Sequence, residues 1–455
     1  MSDWTSHIPH GAVTICATLR ESSFAAFIVG GAMRDVLMNR TPADWDIATS
    51  ARPDDVIRLF PKVVLTGIQH GTVTVVLPDG NYEVTTFRGE GAYSDGRRPD
   101  SVTFLDNVVD DLARRDFTIN AIAGDLATGE MVDPFDGQGD IERALIRAVG
   151  DPDARFSEDG LRTLRAARFA AMLEFTLDPN TEAAIPRHLK TFAKVSVERQ
   201  FEEVAKLLVK SRLPSWGLGI MLQTGLLQVV LPELAVSFGV VQNKYHAFDV
   251  FEHTMYVVDL LPPNLVLRLA GLLHDVGKPT VKAWNDKTQD WTFYNHEDVS
   301  AKIADKWLRR MKASNELREE VVALVQNHLI LYSSDWTDAA VRRWVKRVGP
   351  CRVHDLLTMA HADAKGQGDT PFTVAGQQAI DELQERVTGV MSEQPALDVC
   401  NLAIGGDDIM RILSVKPGKV VGQVKNALLE LVLEQPELNT REVLEPLVLE
   451  VARKV

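Results

Sequence analysis

The chain has 455 residues, 45% of them hydrophobic, and a formal net charge of −14 at pH 7. Its length exceeds one ordinary core and predicts three or four folding units. The acidic balance excludes indiscriminate binding to nucleic acid, because phosphate binding needs positive charge, although local basic surface is compatible with it.

The cysteines and the apolar runs indicate in which cellular compartment the protein is expected. The three cysteines form no CxxC pair, so neither a disulfide framework nor a structural zinc site is predicted, and a reducing cytoplasm fits. The N-terminus lacks the apolar core of a signal peptide, and the best apolar run, Leu265 to Leu273, is too short to span a bilayer. We therefore expect a soluble, cytoplasmic protein with no membrane partner.

The first informative stretch lies between residues 24 and 46. Phe24 to Val29 predicts a buried strand, Gly30 and Gly31 break it, residues 34–38 predict a short helix, and residues 44–46, Asp-Trp-Asp, open a second strand. Side chains alternate along a strand, so the two aspartates are expected on one face, with Trp45 and Ile47 pointing into the fold.

Asp44 and Asp46 at this spacing can bridge a pair of hard divalent cations, as a phosphoryl-transfer site requires. Gly30 and Gly31 let backbone amides approach a triphosphate closely. A strand, a turn and a salt-bridged surface explain the isolated stretch equally well. The rest of the chain has to decide between the two interpretations.

A small mixed sheet is predicted next. A capped helix at Pro53 to Phe60 precedes three short β-rich runs, which are Val63 to Leu65, Thr72 to Leu77 and Tyr82 to Phe87. Residues 78–81, Pro-Asp-Gly-Asn, join the last two runs as a hairpin. Glu83 on the last run can supply a third carboxylate to the metal pair, or it is simply an exposed strand residue.

Two polar segments follow the sheet. Residues 89–99 combine glycines, charges and one aromatic residue, which is typical of a mobile loop beside a site, although an ordinary surface loop fits as well. Residues 110–126 predict a helix, or a loop leading into one. Four polar side chains crowd that segment, and a solvated helix face would also account for them: Arg114, Arg115, Asp116 and Asn120.

From Ile141 onward the pattern is helical, and residues 146–175 carry arginines at 155, 162, 165 and 168. Asp159 precedes Arg162 by three residues, which allows an ordinary ion pair on a surface helix. The pair also has a chemical use, since Asp accepts and Arg donates hydrogen bonds. It therefore complements the pairing edges of cytosine and adenine and opposes those of uracil and guanine.

Five motifs in order carry a family resemblance: GGAMRD with DWD, RRDFTINAIA, GDPDARF, EDGLR and VERQFEE. The series resembles class II tRNA nucleotidyltransferases and bacterial poly(A) polymerases over residues 24 to about 205. The resemblance implies an α+β fold, in which a small mixed-sheet, polymerase-beta-like nucleotidyltransferase head is followed by an all-α neck. The segment from 87 to 104 resembles the flexible loop of those enzymes.

The resemblance also implies residue roles. Asp44 and Asp46 would bind catalytic Mg²⁺, and Glu83 is our candidate third acid. Nucleotide contacts would come from Gly30, Gly31, Arg34, Arg115, Asp116 and Asn120, from the base readers Asp159 and Arg162, and from Arg165 or Arg168 near phosphate. Glu158 would be supportive and Glu198 would brace the recognition helix.

A second constellation of metal-ligating residue types lies between residues 246 and 363. Its histidines and aspartates suit one or two divalent or transition metals, although a lone histidine on an apolar helix is more often structural. The order H, HD, H, H, D resembles the HD phosphohydrolase superfamily. The resemblance implies a minimal ligand set of His253, His274, Asp275 and Asp363, with His296 and His328 as the extra ligands of two-metal members and Lys278 at the HDxGK position.

The C-terminal part is less specific. Residues 339–348 predict a basic helical face that contacts RNA or is simply solvated, and residues 366–371 predict a linker. Residues 416–419, Lys-Pro-Gly-Lys, precede a helix and resemble the tail of HD-bearing family members. The predicted domains are the head (1–140), the neck (141–240), the HD domain (241–365) and an RNA-binding tail (366–455).

Together these features predict an enzyme that adds C and A, as CCA or part of it, to tRNA 3′ ends from CTP and ATP. Mg²⁺ would serve the head, and a divalent metal of unknown identity the HD site. Poly(A) polymerase is the nearest alternative, and the acidic chain disfavours it. An HD phosphohydrolase with a recognition head, and an RNA-binding module with both centres inactive, are the alternatives from other classes. The oligomeric state stays open.

Overall fold

The computed structural model describes residues 4–68, 71–90, 102–393 and 395–455. The chain divides into two compact units, one of Met1–Ala235 with Arg310–Lys312 and the other of Val236–Arg309 with Ala313–Val455. The division into four domains stays a prediction. The α+β fold class, with a mixed-sheet head followed by helices, is confirmed.

The head of the first unit contains these elements in chain order: α1 (His10–Glu21), β1 (Ala26–Val29), α2 (Gly31–Leu37), β2 (Asp46–Thr49), α3 (Pro53–Leu59), β3 (Val63–Gly67), β4 (Thr72–Leu77), β5 (Gly80–Thr86), β6 (Arg88–Glu90), β7 (Val102–Phe104), α4 (Val108–Ala113), β8 (Ala123–Gly124), β9 (Met131–Val132), α5 (Gly137–Glu142) and β10 (Leu145–Ile146). A single 3₁₀ turn, Thr118–Asn120, lies between α4 and β8.

Seven of these strands form one mixed sheet in the order β3-β4-β5-β2-β1-β8-β9. The β2 strand runs antiparallel to β1 and parallel to β5, which places it next to both the glycine turn and the hairpin. One face packs against α1 and α3 through a core that includes Ile15, Leu19, Ile28 and Ile47. The sheet therefore fixes the end of β2 that carries Asp46.

Most predicted elements of the head are confirmed, with shifted ends. The hairpin of β4 and β5 forms as predicted, and Trp45 and Ile47 are buried. Asp44 precedes β2 and is exposed. The prediction that Asp44 and Asp46 lie on one strand is therefore wrong. The helix predicted over residues 110–126 is instead the short α4 and the 3₁₀ turn. The loop predicted at 89–99 falls mostly outside the described residues.

The helical part of the first unit follows: α6 (Pro152–Glu158), α7 (Leu161–Leu173), β11 (Thr176–Leu177), α8 (Pro179–Ala184), α9 (Leu189–Phe192), α10 (Val197–Lys210), α11 (Pro214–Thr224), α12 (Leu226–Val230) and α13 (Pro232–Ala235). Helices α10 and α11 pack on α7, which is buried along nearly its whole length. The continuous helix predicted across residue 159 is wrong, because Asp159 ends α6 in an extended conformation. A Cβ at Gly160 would lie 2.6 Å from the Phe192 backbone nitrogen, so this close packing requires glycine.

The second unit is helical apart from one hairpin: α14 (Val250–Leu260), α15 (Leu265–Leu273), α16 (Lys278–Val281), β12 (Ala283–Asn285), β13 (Asp290–Thr292), α17 (His296–Arg310), α18 (Asn315–Asn327), α19 (Asp338–Val348), α20 (Val353–Gly366), α21 (Thr373–Ser392), α22 (Gly406–Leu413), α23 (Lys419–Glu434) and α24 (Arg441–Ala452). The predicted linker is only the short turn between α20 and α21. No helix in the described ranges combines the length and the apolar character that a membrane span requires.

Contacts within the protein already occupy part of the basic face predicted on α19. That face is therefore neither fully solvated nor fully available to RNA. Arg343 and Lys346 form ion pairs with Glu430 of α23, and Arg343 also pairs with Glu434. The guanidinium of Arg342 is buried and donates to the Leu433 carbonyl oxygen at 2.6 Å. Helix α19 therefore uses much of its basic side to hold α23.

Candidate functional site

The first unit contains an open cleft of about 770 Å³ between the start of β2, the start of α2 and the helices α7 and α10. Ten basic side chains and five acidic ones line it, although the chain as a whole carries a net charge of −14. The basic set is Arg34, Arg40, Arg114, Arg115, Arg162, Arg165, Arg168, Arg199, Lys206 and Lys210. This excess of cations suits a polyanionic ligand such as a nucleoside triphosphate or an RNA end.

Two acids, Asp44 and Asp46, line the cleft beside the sheet, and a third, Glu83, neighbours Asp46 on the next strand. Asp46 is the register partner of Glu83 on the parallel pair β2 and β5, and Asp44 lines the same cleft two residues earlier. Burial raises the pKa of Asp46 to about 6; Arg115 opposes the shift, and the charges of Glu83 and Asp44 add to it. A carboxylate with a raised pKa beside two other acids gains from binding a divalent cation.

Gly30 separates this acidic end from the arginines. Its φ is +72°, and a Cβ there would lie 2.7 Å from Arg115 Nη1 and 3.7 Å from Asp46 Oδ2. Glycine is therefore needed for the backbone conformation and for the close approach of the Arg115 guanidinium. Arg115 Nη1 donates to the Asn120 carbonyl oxygen at 3.4 Å, while Nη2 lies 3.4 Å from Asp111.

A buried network joins four of the predicted nucleotide contacts. Arg34 Nη1 donates to Asn120 Oδ1 at 2.8 Å, and Asn120 Nδ2 donates to Asp116 Oδ1 at 3.1 Å. Asp116 Oδ2 in turn accepts from Arg165 Nε at 2.8 Å. Burial by itself raises the pKa of Asp116, but Arg165 and the hydrogen bonds from Asn120 and Arg165 hold it well below its usual range. These side chains are thus locked in place before a ligand arrives.

Phe169 is a cleft residue that the sequence analysis missed. The guanidinium carbons of Arg34, Arg165 and Arg168 lie 5.3, 5.3 and 4.0 Å from the centre of its ring. Contact with one aromatic ring favours this close grouping of three guanidinium groups despite their like charges. The arginine spacing of α7 indicated a basic face, but nothing in the sequence identified the ring beneath it.

The structure brings Asp159 and Arg162 to the same cleft but gives each a different ion-pair partner. Arg199 Nη2 donates to Asp159 Oδ2 at 2.6 Å, and Arg162 Nη1 donates to Glu158 Oε2 at 2.5 Å. The simple pair between Asp159 and Arg162, which the spacing also allowed, is not the arrangement of the described residues. Both side chains line the cleft, as a base-reading pair requires.

Glu198, which the resemblance implied would brace the recognition helix, pairs with Lys312, and its bracing role stays a prediction. Its neighbour Arg199 holds Asp159, and Glu203 accepts from Arg168 Nε at 2.5 Å and lies 3.8 Å from Arg165 Nη1. Residues 199, 203, 206 and 210 recur at helical spacing and occupy one side of α10. That periodicity was readable in the sequence and would have identified this side of the helix.

The second unit gathers all six predicted HD ligands. His253, His274 and Asp363 form one triad, and Asp275, His296 and His328 form another, with candidate ligand atoms of each triad within 4.8 Å of one another. Among the described residues no other set of three meets this measure, so Asp44, Asp46 and Glu83 are more widely spaced. Asp363 is the most exposed of the six, with 22% of its side chain accessible.

The four histidines all face the centre through the same atom. Each Nδ1 lies 2.7–3.0 Å from a main-chain carbonyl oxygen, of Gly366, Gly271, Phe293 or Val325. A carbonyl only accepts, so Nδ1 carries the proton and Nε2 is left as the metal-binding atom. The Nε2 atoms of His253 and His274 are 3.2 Å apart, as are those of His296 and His328.

This centre fits a cation. Neither oxygen of the buried Asp275 has a hydrogen bond of favourable geometry within the described part of the chain, although Lys278 Nζ lies 2.7 Å from Oδ2. Burial lowers the pKa of His274, but Asp275 and Asp363 reverse the shift and raise it to about 10. Without a metal, the His274 imidazole therefore carries a second proton and a positive charge. A divalent metal can take the place of that proton.

Comparison with known proteins agrees with both sites. Residues 26–147 match the family described as the poly A polymerase head domain, residues 174–238 a probable RNA- and SrmB-binding site of polymerase A, and residues 244–364 the HD domain. A CCA-adding enzyme of Geobacillus sp. (strain WCH70) is 37% identical over 408 residues, which cover 90% of this chain and 88% of the relative. The chain belongs to the CCA-adding enzyme family. The motif-based resemblance is thereby confirmed, and the chain is a nucleotidyltransferase with an HD domain.

Other members of the CCA-adding enzyme family give the same result. The Levilactobacillus brevis enzyme is 46% identical over 404 residues, covering 86% of this chain and 98% of its own length. The solved Bacillus stearothermophilus CCA-adding enzyme in complex with CTP has a TM-score of 0.75 at 30% identity, and the match covers 97% of both chains. The Thermotoga maritima CCA-adding enzyme complexed with tRNA_CCA shares the fold, with a TM-score of 0.60 at 16% identity and coverage of 98% and 97%.

Proposed function

We propose that this protein adds C and A residues to the 3′ end of tRNA from CTP and ATP, releasing pyrophosphate. The observation that carries the proposal is a single cleft with acids at one end, cations along its length, and Asp159 and Arg162 in its lining. A triphosphate with a pyrimidine or purine base needs all three parts at once. The acidic end suits the reaction, the cations suit the phosphates, and the Asp and Arg side chains suit the base.

Asp44 and Asp46, with Glu83 beside them, would hold Mg²⁺ in this cleft. Those residues would thereby place a Lewis acid beside the 3′-hydroxyl, whose pKa it would lower, and positive charge beside the pyrophosphate. Gly30 and Gly31 leave room for the phosphates at the start of α2. The network of Arg34, Asn120, Asp116 and Arg165 orients the nucleotide without a rearrangement, because its hydrogen bonds are already formed.

Base selection would follow from hydrogen-bond complementarity. The Asp159 carboxylate accepts from the exocyclic amino group of cytosine or adenine, and the Arg162 guanidinium donates to the neighbouring ring nitrogen. Uracil and guanine present a carbonyl and an N–H at the same places, so both contacts become unfavourable. Each mismatch costs about 1–3 kcal/mol, roughly 10- to 100-fold in selectivity.

The test is an assay with tRNA transcripts that lack CCA, CA or the final A, each incubated with labelled CTP, ATP, UTP or GTP. We expect C on the shortest transcript, A only after two C residues, and products that stop at CCA. Unlimited addition of A to any transcript would favour poly(A) polymerase instead. The relatives reported above are CCA-adding enzymes, which favours CCA addition.

The two HD triads favour a second activity, metal-dependent hydrolysis of a phosphate ester. Six ligands converge on one buried centre, and Lys278 adds a cation beside Asp275. Metal-supplemented protein should release product from 2′,3′-cyclic nucleotides or from nucleotide monoesters. A chain that binds metal at these residues but hydrolyses neither substrate class would leave the centre a structural one. The free cysteines suit a reducing compartment, and we propose the cytoplasm.

A further inference from the structure

The acceptor of the base-reading pair, Asp159, is held from outside its own helix. It ends α6 with φ −139° and ψ 106°, and its Oδ1 accepts the Leu161 N–H at 3.0 Å. Arg199 of α10, 40 positions later, lies 2.6 Å from its Oδ2 and 3.4 Å from its Oδ1. The two contacts fix the plane of a carboxylate that is 16% exposed to the cleft.

The donor, Arg162, is held by a different set of groups. Its Nη1 donates to Glu158 Oε2 at 2.5 Å and to the Arg155 carbonyl oxygen at 3.2 Å. Its Nη2 donates to the Arg114 carbonyl oxygen at 2.9 Å. The Glu158 carboxylate is also paired with Arg155, so it is itself fixed. The guanidinium group of Arg162 is thus anchored on the side of α6.

These contacts prevent Asp159 and Arg162 from pairing with each other. An aspartate and an arginine three positions apart at the start of a helix attract each other, and in a partly buried site the attraction is strong. If they paired, the carboxylate would be occupied by the guanidinium, and an incoming base would have to break the pair before it could be read. In the described residues, the ion-pair partner of Asp159 is Arg199 instead.

We propose that Arg199 is a positioning residue for base selection, which keeps Asp159 away from Arg162 so that both reach an incoming base. Glu158 does the same for Arg162 from the opposite side. Selectivity then depends on four residues, two that read and two that keep the readers apart. This inference rests on the proposed function, since it assigns Arg199 a part in reading the base of the nucleotide.

If Arg199 positions Asp159, its removal should change CTP binding and UTP binding differently. An arginine with only a structural role would affect both nucleotides alike. Without Arg199, Asp159 turns toward Arg162, so cytosine loses its acceptor while uracil loses a repulsive contact. Binding of CTP weakens and binding of UTP does not. A brace that only stabilised α10 would instead weaken both nucleotides together.

The experiment compares the wild type with Arg199→Ala and Arg199→Lys, using kcat/KM for CTP and for UTP on tRNA lacking its 3′ end, and Kd for both nucleotides without tRNA. We expect Arg199→Ala to lower the CTP-to-UTP ratio by about tenfold, the effect of roughly one mismatched hydrogen bond. Arg199→Lys keeps the positive charge on Asp159 and should retain most of the ratio. Circular dichroism and the melting temperature show whether each variant folds.

Arg212→Ala is the matched control, because Arg212 also pairs with a carboxylate of the first unit, Glu174, but at the exposed surface. It should leave the ratio unchanged. An equal loss on CTP and UTP in folded Arg199→Ala, with the ratio preserved, overturns the inference while CCA addition by the wild type stands. A wild type that adds neither C nor A overturns the proposed function instead, and the Kd ratio still tests Arg199.

Discussion

Asp46 and Glu83 are register partners on the parallel strands β2 and β5, so both carboxylates stand on the same face of the sheet. Parallel pairing keeps the two side chains beside each other for as long as the sheet is intact. The acids are therefore held close by backbone hydrogen bonds rather than by contacts of their own. A cation placed there is bound by a rigid element, as a two-metal centre needs.

Replacing Asp46 with Asn should abolish nucleotide addition. The change removes a charge from the acidic end of the cleft with almost no change in shape, so the fold is kept. We expect kcat on tRNA lacking its 3′ end to fall by about a thousandfold, which corresponds to ~4 kcal/mol. Asp54→Asn, an exposed acid in α3, is the control. Normal addition by Asp46→Asn would remove Asp46 from the metal site.

The same variant should be more stable than the wild type when no metal is present. Burial raises the pKa of Asp46 to about 6, above the 3.8 of an unburied aspartate, so the fold favours the protonated form. The wild type is therefore penalised above pH 6, and the penalty disappears as the pH falls below about 4. Urea titrations in EDTA should show Asp46→Asn gaining about 1–3 kcal/mol at pH 7.5 and little at pH 4. An unchanged difference across this range contradicts the shift.

Gly30→Ala should damage the cleft more than its backbone strain alone explains. Gly30 and Gly129 both have a left-handed backbone, with φ of +72° and +73°. A Cβ at Gly30 meets Arg115 Nη1 at 2.7 Å, whereas a Cβ at Gly129 has nothing within 4 Å. Each variant should lose roughly 1 kcal/mol of stability from strain. Only Gly30→Ala should also raise the Kd for CTP. Equal CTP binding by both variants would contradict a place for Gly30 in the nucleotide site.

The HD triads should be separable from nucleotide addition. Asp363→Ala removes the most accessible ligand of the first triad, and His361→Ala, two residues earlier on α20, removes a side chain that lies near Asp381 and Gln384. We expect Asp363→Ala to lower metal content, measured by calorimetry and elemental analysis, while His361→Ala keeps it. Both should add C and A at the wild-type rate. A joint loss of metal and addition in folded Asp363→Ala would contradict two independent sites.

Most of the fold and of the site was predictable, because these features depend on residues that are close together in the sequence. The glycine break after β1, the hairpin of β4 and β5, and the ordered histidines needed only alternation, turn residues and motif order. The partners of the base readers were not predictable in that way, because Arg199 meets Asp159 across 40 positions. The end of α6 at Asp159 depends on how closely Gly160 approaches Phe192, a contact that no helical period encodes.

The Nδ1–H groups of the four HD histidines donate to carbonyl oxygens of the main chain, and every amino acid supplies that oxygen. Substitution at Gly271, Phe293, Val325 or Gly366 can therefore change packing without removing the acceptor that sets the tautomer. The tautomer of each histidine is consequently independent of which side chain stands at the acceptor position, although a Cβ at Gly271 or Gly366 would come within 2.7 Å of a neighbouring side chain. Relatives that have lost this chemistry should be recognisable by their ligands alone.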